Sequence, residues 1–492
     1  MKKIEGGWNL QCSYASLPEI FYTKIDPNPV NAPNLVVLNE NLANDLGLDA
    51  DMLKTKEGID ILAGNEVLYG GFLLAQAYAG HQFGHFTVLG DGRAALIGEQ
   101  INPQGKTIDI QLNGSGFTPY SRGGDGRATL SAMLREYIIS EAMYGLGIPT
   151  TRSLSVVTTG ENVYRETPLD GAILVRTASS HIRVGTFQYA AAKGGKSAVK
   201  SLADYTINRH FPHVKDTPNP YIELLGELIK SQASLIAKWQ LVGFIHGVMN
   251  TDNMAISGEA IDYGPCAFMN EYNSKTVFSS IDTQGRYAYQ NQPRIAAWNL
   301  TRFAESLLTL IDEDQQKAIS LAEGKLNNFE AIYNENYIDG MRRKIGLFDK
   351  QEGDSELIND LLSIMEKSKA DYTNTFIALT FQNYKQSSKY SDEMFQSNEF
   401  KSWEKRWKER LSKQGKSEKE VEDMMKASNT SVIPRNHLVE EALFLASNNN
   451  DYSTFNELVR ILQKPYNHED INEKYTLPPK SSSVPYKTYC GT

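Results

Sequence analysis

The sequence predicts an α+β protein whose first part is rich in strands and whose second part is mainly helical. Apolar residues alternate in 94–112 and again in 153–177, which is typical of strands. Residues 221–242 repeat apolar positions at helical spacing, and similar patterns dominate beyond about residue 200. At 492 residues the chain exceeds the size of a single hydrophobic core, so we expect two or three packed units.

The elements of the first part follow in order. Residues 1–65 mix short apolar runs with Pro and Asn, which predicts an irregular wrap with one strand near Val36–Leu38. Two alternating stretches, Ala94–Ile101 and Lys106–Leu112, flank a Pro-Gln-Gly turn and predict a hairpin. Ala128–Tyr144 carries an apolar stripe of helical period that ends at a glycine, so a helix is predicted before the second pair of strands.

The second part is predicted to be helical with one interruption. The long helix 221–242 leads into Phe244–Gly264, where short strands alternate with turns. Residues 386–427 are dense in Lys, Glu and Ser around two tryptophans at helical spacing. Because both signs of charge are interspersed, this stretch predicts an exposed pair of amphipathic helices without chemistry. From about Asn467 the Pro- and Ser-containing chain predicts an extended tail.

Composition and charge exclude several classes of protein. A net charge of −9 and a pI near 5.6 argue against an extended nucleic-acid-binding surface. No stretch approaches about 18 uninterrupted apolar residues, and the N-terminus resembles neither a signal nor a transit peptide. We therefore expect no membrane segment and a cytoplasmic location. Cys12, Cys266 and Cys490 lack metal-binding spacing, so no structural zinc site is expected.

The segment Phe244–Gly264 carries the most informative motif. His246, Asn253 and Asp262 occur in the order found in kinase-like enzymes, where an H-x-D-x-x-x-x-N loop precedes a D-x-G sequence. In those enzymes the Asn and the second Asp bind Mg²⁺, a hard cation that prefers oxygen ligands. The sequence therefore predicts a kinase-like metal site built on Asn253 and Asp262.

One member of the kinase motif is missing. Val248 stands where a kinase has its catalytic aspartate, and an aliphatic side chain cannot accept a proton. Ordinary phosphoryl transfer is therefore disfavoured. Asp252 is the nearby carboxylate that can replace the absent base. The alternative is a solvent-facing Asn-Thr-Asp-Asn turn without chemistry.

Three loops rich in glycine and arginine form a second group of motifs. They span Leu89–Arg93, Leu112–Gly116 and Tyr120–Arg127. Glycine lets backbone N–H groups approach phosphate oxygens, and arginine supplies planar paired donors, so together the loops predict a polyphosphate site. Arg176 and Arg183 add positive charge nearby in sequence, although surface ion pairing is the alternative for both.

Glu136 lies within the predicted helix 128–144, where a kinase fold pairs a glutamate with a strand lysine that holds phosphates. The strand position here is Asn113, so this pair is broken. Glu136 must therefore find an arginine, solvent or another donor.

Several blocks of sequence resemble the selenoprotein O family, the pseudokinase-like protein adenylyltransferases, over roughly residues 70–445. The blocks are YAGHQFG (78–84), LGDGR (89–93), TPYSRGGDGRA (118–128), LGIPTTRSL (146–154), ASSHIRVGTFQ (178–188), HGVMNTDNMAI (246–256) and PRNHLVEEAL (434–443). The resemblance implies a two-lobed, protein-kinase-like fold with N- and C-terminal extensions. It also implies that ATP is held in a flipped orientation and that AMP is transferred to Ser, Thr or Tyr hydroxyls with release of pyrophosphate.

The resemblance implies a set of site residues. Asp252 is the implied general base, and Asn253 and Asp262 are the implied ligands of Mg²⁺, with Mn²⁺ as the alternative ion. The implied nucleotide-binding residues are Gly90, Gly92, Arg93, Asp125, Gly126, Arg176, Arg183 and Asp262. Asn113 departs from the family, which usually has lysine in this loop, so we expect lowered rather than abolished activity.

The resemblance also implies a division of the chain and a redox element. The expected parts are an N-terminal extension (1–65), a β-rich nucleotide-binding part (66–190), a helical part with the metal loop (191–445), and a C-terminal helix and tail (446–492). Family members carry a redox-active selenocysteine or cysteine near the C-terminus, so a Cys266–Cys490 disulfide is implied. The expected partners are substrate proteins, with neither nucleic acid nor membrane.

Two other functions stay open on the sequence alone. A conventional kinase would use the same metal loop, but Val248 argues against it. A catalytically weak, ATP-binding pseudokinase regulator is favoured by Asn113 but disfavoured by the retained Asp252, since a pure binder needs no base.

Overall fold

A computed structural model describes residues 6–384, 392–469, 472–479 and 486–489 and shows an α+β protein, as predicted. The strands are β1 (Leu10–Gln11), β2 (Tyr22–Lys24), β3 (Asn34–Leu38), β4 (Leu74–Gln76), β5 (Ala79–Gln82), β6 (His85–Val88), β7 (Ala94–Ile101), β8 (Thr107–Asn113), β9 (Ala128–Thr129), β10 (Arg152–Tyr164), β11 (Pro168–Ala178), β12 (Phe244–Ile245) and β13 (Ala267–Phe268). The helices are α1 (Glu40–Asp45), α2 (Ala50–Leu53), α3 (Lys56–Leu62), α4 (Leu130–Gly145), α5 (Val184–Lys193), α6 (Gly195–His210), α7 (Pro220–Leu241), α8 (Gln292–Ile311), α9 (Gln315–Leu326), α10 (Asn328–Lys344), α11 (Asp354–Lys367), α12 (Tyr372–Phe381), α13 (Asp392–Gln396), α14 (Asn398–Ser412), α15 (Glu418–Ser428), α16 (Asn436–Asn449) and α17 (Ser453–Leu462).

One antiparallel sheet dominates the first part of the chain. Its order is β2-β4-β7-β8-β11-β10-β3, with β1 added to β7 and β9 to β11. The predicted hairpin is confirmed as β7 and β8, with Leu96 opposite Gln111. Asn102 closes its turn because its side-chain oxygen accepts the backbone N–H groups of Gln104 and Lys106.

Residues 6–65 are more regular than the sequence suggested, so the prediction of an irregular wrap was wrong for this described part. Three short helices begin at Asn39, Asp49 and Thr55, whose side chains each accept a backbone N–H of the first turn. These helices cover one face of the sheet with residues such as Leu42 and Leu53. The predicted strand is confirmed as β3, which pairs with β10.

Helix α4 packs against the opposite face of the sheet. Met133, Leu134, Tyr137 and Ile138 are buried there in the largest core, which continues into the helical part. The helix begins two residues later than predicted because Ala128–Thr129 pairs with β11 as β9. A sheet-and-α4 half and a helical half therefore form the two-lobed, kinase-like arrangement.

The helical half has a second core in the described residues of α10–α15. Residues 386–391 of the predicted amphipathic pair lie outside the described residues; the rest forms the short α13 and the pair α14 and α15, whose apolar face is covered rather than exposed. Trp403 and Trp407 are fully buried, and their Nε1 groups donate to the carbonyls of Leu357 and Ile345. None of the helices in the part of the chain that the structure describes is long and apolar enough to cross a bilayer. The four-part division of the chain stays a prediction.

The interruption between Phe244 and Gly264 is held by its neighbours rather than by a local hairpin. β12 pairs with β13, which lies beyond Gly264. Ala255 bridges to Arg183, and Ala260 bridges to Thr150. The predicted alternation of short strands and turns is therefore reduced to β12 and two isolated bridges, because the backbone of this segment bonds to other parts of the chain.

Candidate active site

A cleft of about 1020 Å³ lies between the sheet, α4 and the Phe244–Gly264 segment. Every residue that the sequence analysis names for the nucleotide, the metal ion and the base lines it: Gly90, Gly92, Arg93, Asp125, Gly126, Arg176, Arg183, Asp252, Asn253 and Asp262. The volume is that of a ligand site for a molecule of nucleotide size or larger. The fold thus brings together residues that are up to 172 positions apart in sequence.

Residues 246–253, which carry the candidate ligand Asn253 and are called the metal loop, are fixed by hydrogen bonds. Asn253 donates its amide N–H to the carbonyl of Val248 at 3.0 Å, which leaves the amide oxygen as the atom available to a metal ion. His246 Nε2 lies 2.9 Å from the carbonyl of Ile261, and the Val248 N–H lies 3.4 Å from His246 Nδ1. These partners indicate that Nε2 carries the proton. His246 therefore ties the metal loop to the segment that carries Asp262.

Asp252 has the properties required of a buried base. It lies in a single 3₁₀ turn, Thr251–Asn253, and is 7% exposed. Its Oδ1 has no hydrogen-bond partner among the described residues. Burial raises the pKa of Asp252 to about 6, and the charge of Arg183 only partly opposes this. A carboxylate in this environment is a stronger proton acceptor than an ordinary surface aspartate.

The two candidate phosphate-binding arginines hold the second candidate metal ligand. Arg176 donates to Asp262 Oδ1 at 2.7 Å, and Arg183 donates to Oδ2 at 3.3 Å. Burial raises the pKa of Asp262, but Arg176 and Arg183 outweigh it and hold that pKa well below its usual range. Asp262 has a φ of 65°, a left-handed conformation that non-glycine residues rarely adopt. Arg183 also donates to the Asp252 carbonyl at 2.9 Å, so one guanidinium connects both aspartates.

The glycine loops are shaped by close packing. A Cβ on Gly90 would lie 2.4 Å from the ring of Tyr120. Gly126 has a φ of 69°, and a Cβ there would lie 2.0 Å from the Gly116 carbonyl oxygen. Asp125 lies at the rim, where its carboxylate accepts from Arg165 at 2.8 and 3.2 Å. This ion pair gives Asp125 a role in holding the loop.

The broken lysine–glutamate pair is visible in the cleft. Glu136 accepts the Tyr263 N–H at 2.8 Å. Burial raises the pKa of Glu136 to about 7, as does Asp262, while Arg176 and Arg93 oppose the shift. Asn113 is buried in the lining of the same cleft, and its Oδ1 has no partner in the described part of the chain. Glu136 thus finds a backbone donor and nearby arginines in place of a lysine.

Sequence reasoning missed the hairpin β5–β6, which lies on the metal loop. The His81 N–H donates to Thr251 Oγ1 at 2.7 Å, and the Phe83 N–H donates to Asn250 Oδ1 at 3.1 Å. A Cβ on Gly80 would lie 2.0 Å from Asp252 Oδ1. The block YAGHQFG was a signal for this contact, although the sequence alone does not say what the block touches.

Asp91 is a second residue that the sequence analysis left unassigned. It is 2% exposed, and its Oδ2 accepts from the Gln76 N–H and from Gln111 Nε2, both at 3.1 Å. Its Oδ1 lies 3.8 Å from Arg183. Burial raises the pKa of Asp91 to about 6. The sequence feature that could have singled out Asp91 is its position between the two glycines of LGDGR.

The described part of the C-terminal tail also reaches the cleft. Thr488 donates to the Pro265 carbonyl at 2.6 Å, and Tyr486 donates to Glu440 at 2.6 Å. Cys266 is fully buried, and burial raises the pKa of its thiol to about 12. Cys490 lies outside the described residues, so the Cys266–Cys490 disulfide stays a prediction.

Comparisons with known proteins show which family this chain is similar to. The family described as "Protein adenylyltransferase SelO" matches residues 7–463. The protein nucleotidyltransferase YdiU of Bacillus cytotoxicus is 59% identical over 491 residues, which is 100% of this chain and 99% of the relative. The YdiU protein of Alkaliphilus metalliredigens is 58% identical over 489 residues, which is 99% of each chain.

Proposed function

The chain belongs to the SelO family of protein adenylyltransferases, and on this premise we propose that it transfers AMP from ATP to Ser, Thr or Tyr hydroxyls of other proteins. One observation carries the proposal for the site. Asp252 lines the cleft that also holds the Arg176–Asp262–Arg183 cluster, and its buried Oδ1 has no hydrogen-bond partner among the described residues. A proton acceptor therefore lies beside a cationic site suited to phosphates.

In the proposed reaction Asp252 accepts the proton of the target hydroxyl. The hydroxyl oxygen forms a bond to the α-phosphorus of ATP, and the bond from that phosphorus to the pyrophosphate oxygen breaks. Arg176 and Arg183, with the backbone of the glycine loops, hold the negative phosphates. Val248 offers no competing base at the kinase position.

The donor set fits Mg²⁺, with Mn²⁺ as the alternative. Asn253 and Asp262 present the amide and carboxylate oxygens that hard divalent cations prefer. Each Asp262 oxygen accepts one arginine bond and keeps a further lone pair. A bound ion would neutralise phosphate charge as the pyrophosphate leaves.

Paired incubations with α-labelled and γ-labelled ATP test the proposal, with casein as the hydroxyl-bearing acceptor. We expect protein-bound label from α-labelled ATP only, and its loss in Asp252→Asn and Asp262→Asn variants. Label from γ-labelled ATP would instead identify a kinase. Absence of label from both, with retained ATP binding, would identify the weak regulator that Asn113 favours.

Substrate proteins are the partners that this function requires. The cytoplasmic location and the absence of nucleic-acid and membrane partners stay predictions from the sequence.

A further inference from the structure

We propose that a surface formed by Arg286, Trp298 and Arg302, beside the candidate base, binds acidic segments of the target proteins. The inference rests on the proposed function, because it concerns the acceptor of that reaction. We call these three residues the acidic-segment surface. They belong to α8 and to the segment before it.

Two cations share one aromatic ring in the acidic-segment surface. The Arg286 guanidinium lies 4.9 Å from the centroid of the Trp298 ring, and the Arg302 guanidinium lies 5.1 Å from it. Arg302 also pairs with Glu305 at 2.6 Å, and that glutamate is half exposed. The rigid stack holds both guanidinium groups in place, so less side-chain entropy is lost when a carboxylate binds.

Arg286 has no carboxylate within 4.0 Å among the residues that the structure describes. Asp282 is the nearest acidic residue in sequence, but it is buried and its carboxylate accepts backbone hydrogen bonds. Its two oxygens accept the N–H groups of Arg286 at 2.9 Å and Tyr287 at 2.8 Å. The charge of Arg286 is therefore available to a partner.

The surface lies next to the candidate base. Tyr287 donates its hydroxyl to Asn250 Oδ1 at 2.6 Å, and Asn250 lines the cleft two residues before Asp252. A Cβ on Gly84, at the tip of the β5–β6 hairpin, would lie 3.9 Å from the Arg286 guanidinium. A target segment whose hydroxyl reaches Asp252 would therefore pass close to Arg286.

Two guanidinium groups meet at this surface although the chain as a whole carries −9. The pKa of His81 is lowered, first by burial and further by Arg302 and Arg286, while Gln188 and Glu305 oppose the shift. Arginine and tryptophan are the side chains most enriched at the energetic centres of protein interfaces. Phe86 and Val88 lie exposed on the same hairpin and offer apolar contact beside the charges. A short acidic segment fits this combination better than the long polyanionic backbone of a nucleic acid.

Peptide binding tests the inference without depending on catalysis. The probes are a short fluorescein-labelled peptide with a central serine flanked by glutamates, its glutamine counterpart, and its lysine counterpart. Anisotropy is measured with the full chain, with Arg286→Glu, and with Arg460→Glu as the matched control. Arg460 is an exposed arginine on α17, so the control makes the same charge change on a different helix.

We expect the wild-type chain to bind the glutamate peptide about tenfold more tightly than the glutamine peptide. Arg286→Glu removes this preference and favours the lysine peptide, whereas Arg460→Glu keeps the wild-type order. Equal binding of the three peptides by the wild-type chain overturns the inference, and so does an equal response of the two variants. The wild-type comparison decides the matter even where a variant fails to fold.

AMP transfer to the same peptides from α-labelled ATP then separates the two proposals. Preferential labelling of the glutamate peptide supports both. Preferential binding without any labelling supports the acidic-segment surface and counts against the proposed function. Labelling without a preference for glutamate supports the function and overturns the surface.

Discussion

Gly80→Ala is the substitution whose effect the structure predicts most directly. Gly80 lies in β5 with ordinary backbone angles, so an alanine there brings no conformational strain of its own. Its Cβ, however, would lie 2.0 Å from Oδ1, 2.6 Å from Cγ and 2.9 Å from Cβ of Asp252. One added methyl group therefore tests whether the position of Asp252 matters for AMP transfer.

The size of the effect follows from the overlap. Ordinary contact begins at 3.4 Å, so relief of the 2.0 Å contact requires about 1.4 Å of relative movement. The hairpin cannot move alone, because His81 and Phe83 donate backbone N–H groups to Thr251 and Asn250 of the metal loop. A misplacement of about 1 Å costs about 10²-fold in rate, or about 2.7 kcal/mol in the barrier.

The assay is the initial rate of AMP transfer from α-labelled ATP, together with ATP affinity by calorimetry. We expect kcat to fall about 10²-fold while ATP affinity changes less than about threefold, since the arginines and glycine loops are not displaced. Gly324→Ala is the control, because Gly324 is exposed in α9 with nothing within 4 Å of the added carbon. A Gly80→Ala enzyme that folds and transfers AMP at the wild-type rate would refute the assignment of Asp252 as the base.

Three further predictions follow from buried groups. Asn113→Lys should raise the rate of AMP transfer about tenfold, because a charged hydrogen-bond donor in the cleft that Glu136 also lines contributes about 1.5–3 kcal/mol to phosphate binding. An unchanged or lower rate contradicts this. Asp252→Asn should lower kcat by about 10²–10⁴-fold with ATP affinity retained, since an amide cannot accept the proton; retained transfer contradicts the mechanism. Lys344 is 4% exposed with its ammonium 4.1 Å from the Phe376 ring centroid, and burial lowers its pKa to about 7. Between about pH 7.5 and 10 Lys344 keeps its proton in the unfolded chain but has lost it in the folded one. The free energy of unfolding of the wild type therefore rises by about 1.4 kcal/mol per pH unit relative to that of Lys344→Met. Urea unfolding at several pH values measures this, and parallel curves for both proteins contradict it.

Local pattern was a good guide where the chain forms its own structure. The β7–β8 hairpin followed from alternation around a turn, and α4 and α7 followed from helical periodicity. The three short helices before residue 65 were missed although Asn39, Asp49 and Thr55 are typical N-caps. Helices of four to seven residues show too few turns for an apolar period to stand out from loop sequence.

The sequence by itself predicted the chemistry of the candidate site: an amide and a carboxylate oxygen for a metal ion, arginines for phosphates, and valine where a kinase has its base. Only the tertiary structure decided how these groups meet. It placed Gly80 against Asp252, Arg165 on Asp125, and Arg286 and Arg302 on the ring of Trp298. The physical reason is separation along the chain. Residue types and hydrophobic periods can be read within a few neighbouring positions, whereas these contacts join segments many tens of residues apart or depend on how whole elements pack.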